Sequence, residues 1–139
     1  MHRTFTRLWL VVATLAIAAC GSSAASTAPD PAAIPGTTWT VSSIGGVATV
    51  AGSQPTITFG ADGNLNGTTG CNNYFGPYKL DGGSIEIGDL GSTLMLCEGP
   101  VGAQEVTFMG ALPKSTAWSI GSDGNLTLTG DADIVASPA

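Results

Sequence analysis

From Thr37 onward, apolar and polar positions alternate in short runs separated by Gly, Asp and Asn, a pattern that predicts strands with one buried face. Residues 37–44 place Trp39 and Val41 on the same face, Gly45-Gly46 turns the chain, and residues 47–50 form a weaker second run. Residues 54–59 direct Ile57 and Phe59 inward, and residues 77–80, 84–87 and 93–96 continue the alternation. Residues 118–120, 125–129 and 134–135 close the series. Two turns look alike, Phe59-Gly-Ala-Asp-Gly-Asn-Leu65 and Ile120-Gly-Ser-Asp-Gly-Asn-Leu126. Asp-Gly between a strand-like run and a leucine is a strong hairpin signal.

The period changes between residues 101 and 112. Val106, Met109 and Leu112 recur every third position, while Glu105–Met109 and Phe108–Leu112 lie four apart, so one short helix is expected, stopped by Pro113. Gly102 and Gly110 each weaken that helix by about 1 kcal/mol relative to alanine. The fold class that follows is mainly β, α+β by strict count: a small antiparallel β barrel with one short helix.

The first 35 residues differ in kind. Arg3 and Arg7 precede an apolar run at 8–19 and then Cys20, the layout of a secretory signal. Twelve apolar residues fall short of the roughly 20 that a membrane span needs. Ile17-Ala-Ala-Cys20 resembles the lipobox of bacterial lipoproteins. That resemblance implies removal of residues 1–19, acylation of Cys20 and attachment to a membrane through that lipid. Gly21 to Pro35 is rich in Ser, Ala, Thr and Pro and reads as a flexible tether. The expected division is therefore a signal peptide at 1–19, a lipidated tether at 20–35 and a domain at 36–139.

Charge narrows the partners. The full chain carries a formal −6; beyond residue 19 it holds only Lys79 and Lys114 against ten carboxylates, −8, with no arginine or histidine. Nucleic-acid binding rests on Lys and Arg neutralising phosphates and is excluded, as is electrostatic docking on anionic lipid. Imidazole relays and phosphate clamps are missing their residues as well, so no catalytic group and no cofactor are expected. Glu86 should point outward between Ile85 and Ile87, and Glu105 suits the positive end of the helix. Asp62-Gly-Asn-Leu-Asn-Gly67 matches the first half of a calcium loop, but Asn73 stands where a bidentate Glu belongs, and no metal site is expected.

The most specific stretch is Gly67-Thr-Thr-Gly-Cys-Asn-Asn-Tyr-Phe-Gly-Pro-Tyr78. It reads as a tight corner between strands, carrying a thiol and the aromatics Tyr74, Phe75 and Tyr78 toward a core. Asn72 and Asn73 are expected to hydrogen-bond the backbone of their own corner, and beside those aromatics they are also candidate partner contacts. Cys71 and Cys97 form an even pair once Cys20 is acylated. They read as a structural disulfide, with two free buried thiols as the alternative.

Gly70-Cys71-Asn72 with Gly76, and Ser92-Thr93 with Cys97, resemble the motifs of the META domain family of HslJ-like envelope proteins. The resemblance runs from about Gly36 to Val135; Leu94 departs from it, standing where many members carry a basic residue. It implies an antiparallel barrel with one helix, and a link to stress resistance in the cell envelope. The function expected is that of a non-catalytic, monomeric, lipid-anchored envelope protein that acts by binding an unknown envelope protein. The alternatives are an exported hydrolase inhibitor or a carrier of an apolar ligand inside the barrel.

Overall fold

The computed structural model describes residues 29–139. β1 (Thr37–Ile44) is followed by β2 (Val47–Ala48), β3 (Thr56–Phe59), β4 (Asn64–Thr68), β5 (Asn73–Asp81), β6 (Ser84–Ile87) and β7 (Gly91–Ser92). Helix α1 (Gly99–Ala111) and a 3₁₀ turn (Leu112–Lys114) then lead to β8 (Ala117–Ile120), β9 (Leu126–Thr129) and β10 (Ile134–Pro138). Eight of the strands form a closed antiparallel barrel in the order β1-β3-β4-β5-β6-β8-β9-β10. Closure comes from β1 pairing β10, from Trp39 opposite Pro138 to Ile44 opposite Ile134. Ring closure removes the free edges at which an open sheet recruits other chains. β2 extends β1, and β7 hangs on the start of β5.

The period-two pattern places the core as expected. Trp39, Val41, Ile57, Phe59, Leu65, Leu126, Leu128 and Ile134 are all buried. In β5 the inward positions are Tyr74, Gly76 and Tyr78, so Phe75 lies outside, contrary to its expected place in the core. Phe59 meets Tyr78 edge-on at 5.1 Å, and Tyr74 meets Phe108 of α1 at 5.4 Å, so the interior is filled by side chains. Both repeated Asp-Gly stretches are hairpin turns: Asp62 Oδ1 accepts the Asn64 N–H, and Asp123 Oδ1 accepts that of Asn125, each at 3.1 Å. The Asn64 side-chain amide, which also donates to Asp62, together with its backbone N–H, and the backbone and side-chain N–H groups of Asn125 at Asp123, hold both carboxyls below the ordinary aspartate pKa. Asp62 is thereby committed to its turn.

Three local expectations change. β4 is a strand range that the alternation did not mark out between the Asp62 hairpin turn and the Cys71 corner; Leu65 supplies its inward residue opposite Gly76. α1 starts at Gly99 with Pro100 in its first turn and buries Gln104, Phe108 and Ala111. Val106 is 75 % exposed, so the apolar face expected from Val106, Met109 and Leu112 is rotated toward Phe108. Packed chain also begins ahead of Gly36: Asp30 caps a short 3₁₀ turn at Pro31–Ala33, and Ile34 is buried in the core. Among the described residues, the buried hydrophobic cluster runs from Ile34 to Ala136.

Candidate functional site

At one end of the barrel, β4 passes to β5 through Thr69, Gly70, Cys71 and Asn72, and α1 packs across this corner. Gln104 bridges three backbone segments: its amide donates to Ser53 O at 2.7 Å and Thr69 O at 3.3 Å, and its Oε1 accepts the Val50 N–H at 2.7 Å. The approach is close enough that a side chain at Gly70 would run into the Ser53 carbonyl, and Gly70 has φ +95°, so glycine is required twice over. At Gly76 the reason is packing alone, since a Cβ there would stand 2.6 Å from Leu90 Cδ2.

Asn72 is the centre of the corner. Its side chain is buried, 3 % exposed, and reaches away from its own turn, which corrects its expected role as a partner contact. Nδ2 donates to Met95 O at 3.0 Å and to Glu105 Oε1 at 2.8 Å, with Cys97 Sγ a weaker third contact at 3.3 Å. Oδ1 accepts from Thr93 Oγ1 at 2.8 Å and from the Met95 N–H at 2.7 Å. Two donors and two acceptors are an amide's full capacity, and all are used. Glu105 is committed too: Thr69 Oγ1 donates to the same Oε1 at 2.9 Å. The carboxylate therefore ties the middle of α1 to the corner rather than lying at the helix's positive end as expected.

Cys71 and Cys97 form a disulfide across 26 residues, with Cα atoms 6.2 Å apart. Cys71, Cys97 and Glu105 bring their ligand-type atoms within 4.8 Å of one another, but sulfurs bonded to each other have no thiolate to give a metal. Asn73 is exposed and its backbone N–H takes Thr93 Oγ1 at 3.0 Å, so it remains a surface residue. Cys20 lies outside the described residues.

The disulfide and Asn72 pin the segment between β7 and α1, and its side chains face solvent. Leu94 is 93 %, Met95 61 % and Leu96 87 % exposed. The strand expected at 93–96 is absent; only Gly91–Ser92 pairs with β5. With Val106 and Met109 of α1, these residues line an open groove of about 410 Å³, with Asn72 and Glu105 also on its walls. The alternation over 93–96 hinted at a strand, and no sequence signal linked Glu105 or Val106 to it.

The META domain family profile matches residues 32–137, nearly all of the described chain. The chain belongs to the META domain family. Its motif glycines, Asn72 and both cysteines are the residues just described, so the META signature marks this corner. A solved structure of a protein from Burkholderia xenovorans, determined by NMR, is 26 % identical, with a TM-score of 0.64 over 81 % of this chain and 92 % of that one. A second NMR structure, 20 % identical, aligns with a TM-score of 0.65 over 78 % and 94 % of the two chains and shares the fold. No curated protein matches the chain. The alignments take in 92 % and 94 % of the two solved chains, so those proteins hold little beyond this fold.

Proposed function

We propose that this META protein is a non-catalytic component of the cell envelope, anchored through Cys20, that works by binding a partner at the groove beside its disulfide. The observation that carries the reading is the 93–97 segment: three large apolar side chains held in solvent by a buried amide and a covalent cross-link. Contiguous exposed apolar residues on a soluble domain mark interaction sites. The Cys71–Cys97 disulfide supports an oxidising compartment outside the cytoplasm. The described chain enters at Pro29, packed against Gly83 in the β5–β6 turn, while the groove lies at the other end of β5. A tether from Cys20 would therefore present the groove away from its point of attachment.

A photo-crosslinking residue at position 96 in the envelope of living cells tests this. The reading expects a discrete crosslinked partner that is absent when the probe replaces exposed Asp81 at the tether end, and a lipid label that is lost in Cys20→Ser. Equal crosslinking from both positions, or an unlabelled Cys20, would remove the corresponding half of the proposal.

A further inference from the structure

The groove has an electrostatic character that its apolar walls do not suggest. Glu105 uses only Oε1 for Thr69 and Asn72, its Oε2 has no hydrogen-bond partner among the described residues, and the residue lines the groove. Glu98 follows Cys97 at the start of the helix and is exposed. Neither has a cation nearby: Lys114 pairs with Asp131 at 3.1 Å, and Lys79 sits on β5 opposite Glu86. Residues 29–139 hold those two lysines against ten carboxylates. Leu94, Met95, Leu96, Val106 and Met109 thus share the groove with a carboxyl group that has no basic partner among the described residues.

Resting on the binding reading above, we propose that the occupant is a cationic amphipathic segment of a partner protein. Its apolar ridge packs on Leu94, Leu96 and Val106 while a Lys or Arg meets Glu105 Oε2. An open groove cannot enclose the 70–90 % of a small ligand that tight small-molecule sites bury, whereas a ridge-bearing peptide fits one. Anionic lipid would be repelled by the two carboxylates. A second copy of the chain would set Glu98 and Glu105 against their counterparts with no cation to relieve them.

The test uses the full chain, purified in a neutral detergent with the disulfide intact, and three fluorescein-labelled amphipathic helical peptides. All share one leucine ridge; their flanks are Lys, Gln or Glu. By anisotropy at low salt, the Lys peptide should bind about tenfold more tightly than the Glu peptide, and added salt should erase the difference. Glu105→Gln keeps an acceptor for Thr69 and Asn72, so the fold stands; it should weaken the Lys peptide about fivefold and leave the Gln peptide unchanged. Leu94→Ser with Leu96→Ser, both on exposed positions, should abolish binding of all three. Equal binding of the three peptides, sensitive to the leucine substitutions but not to Glu105→Gln, would overturn the cationic occupant while leaving the groove as a binding site. No binding by any peptide, together with no crosslink from position 96, would remove both. Self-association or vesicle binding that the leucine substitutions abolish would likewise overturn the proposal.

Discussion

Replacing Asn72 by alanine should cost about 3 kcal/mol of folding stability. The amide makes four good hydrogen bonds, to Met95 O, Met95 N, Thr93 Oγ1 and Glu105 Oε1, all between 2.7 and 3.0 Å. A neutral bond contributes about 1 kcal/mol net and one to a carboxylate about twice that, giving about 5 kcal/mol before solvent is considered. Thr93, Met95 and Glu105 are only partly covered, so water can replace some of the lost partners, which brings the expectation to about 3 kcal/mol. With a urea slope of about 1.5 kcal/mol per molar for a domain of this size, the midpoint should fall by about 2 M. Asn72→Asp separates polarity from shape. It keeps the acceptor facing Met95 N and Thr93 but sets an oxygen where Nδ2 stood, 2.8 Å from Glu105 Oε1. Two adjacent carboxylates cannot both ionise cheaply, so one proton is held more tightly in the folded variant than in the unfolded chain. Its deficit relative to wild type should accordingly be large at neutral pH, shrink as the pH falls through the raised folded-state pKa, and lose its ionisation part by about pH 4, the unfolded value. A midpoint drop under about 0.5 M for Asn72→Ala, or a pH-independent deficit for Asn72→Asp, would refute the claim that this amide organises the corner.

Reduction, or Cys71→Ser with Cys97→Ser, should cost about 3.5 kcal/mol from the entropy of opening a loop of this length, read as a fall in the urea midpoint. Gly70→Ala should prevent accumulation of soluble domain, because the new Cβ meets Ser53 O and the backbone is left-handed. Gly82→Ala, also at positive φ but with nothing within 4 Å, should cost only about 1 kcal/mol. Tyr74 and Tyr78 are the chain's two tyrosines, and burial pushes both phenols above their ordinary pKa, most strongly for Tyr74. Their contribution to stability is whole below the unfolded pKa of about 10 and declines as pH rises past it. Tyr74 should therefore ionise only together with loss of the far-ultraviolet signal; ionisation of both tyrosines at pH 10 in folded protein would contradict the burial argument.

Local physics made the strands legible and left the contacts between distant segments hidden. Alternation identifies Trp39, Val41, Ile57 and Phe59 because inward residues of a barrel strand recur every second position whatever the neighbouring strand is. Asp-Gly identifies both hairpins for the same local reason. Phe75 was misplaced because a run of aromatics suggested a core plug, whereas the register of β5 gives the inward positions to Tyr74 and Tyr78. The helix phase was misjudged because Gln104, a polar residue, occupies a buried position by bonding Ser53, Thr69 and Val50. Polar residues that satisfy backbone groups across long sequence separations leave no periodic trace. Asn72 and Glu105 are 33 residues apart and carry the same lesson.

The exposure of Leu94 and Leu96 follows from how their segment is attached. Asn72 takes Thr93 through its hydroxyl and Met95 through both backbone groups, and Cys97 is bonded to Cys71. The Met95 backbone and the Cys97 sulfur are thus held on the corner, and the chain between Thr93 and Cys97 runs along the surface with the side chains of Leu94, Met95 and Leu96 all in solvent. Their exposure is a consequence of the same buried amide and disulfide that stabilise the domain, and it cannot be relieved by a small local shift. Substituting either leucine should therefore leave stability almost unchanged, whereas loosening Asn72 or the disulfide should disturb folding and the groove together. A surface whose apolar residues are positioned by the most tightly bonded part of the fold has the rigidity expected of a pre-organised binding site.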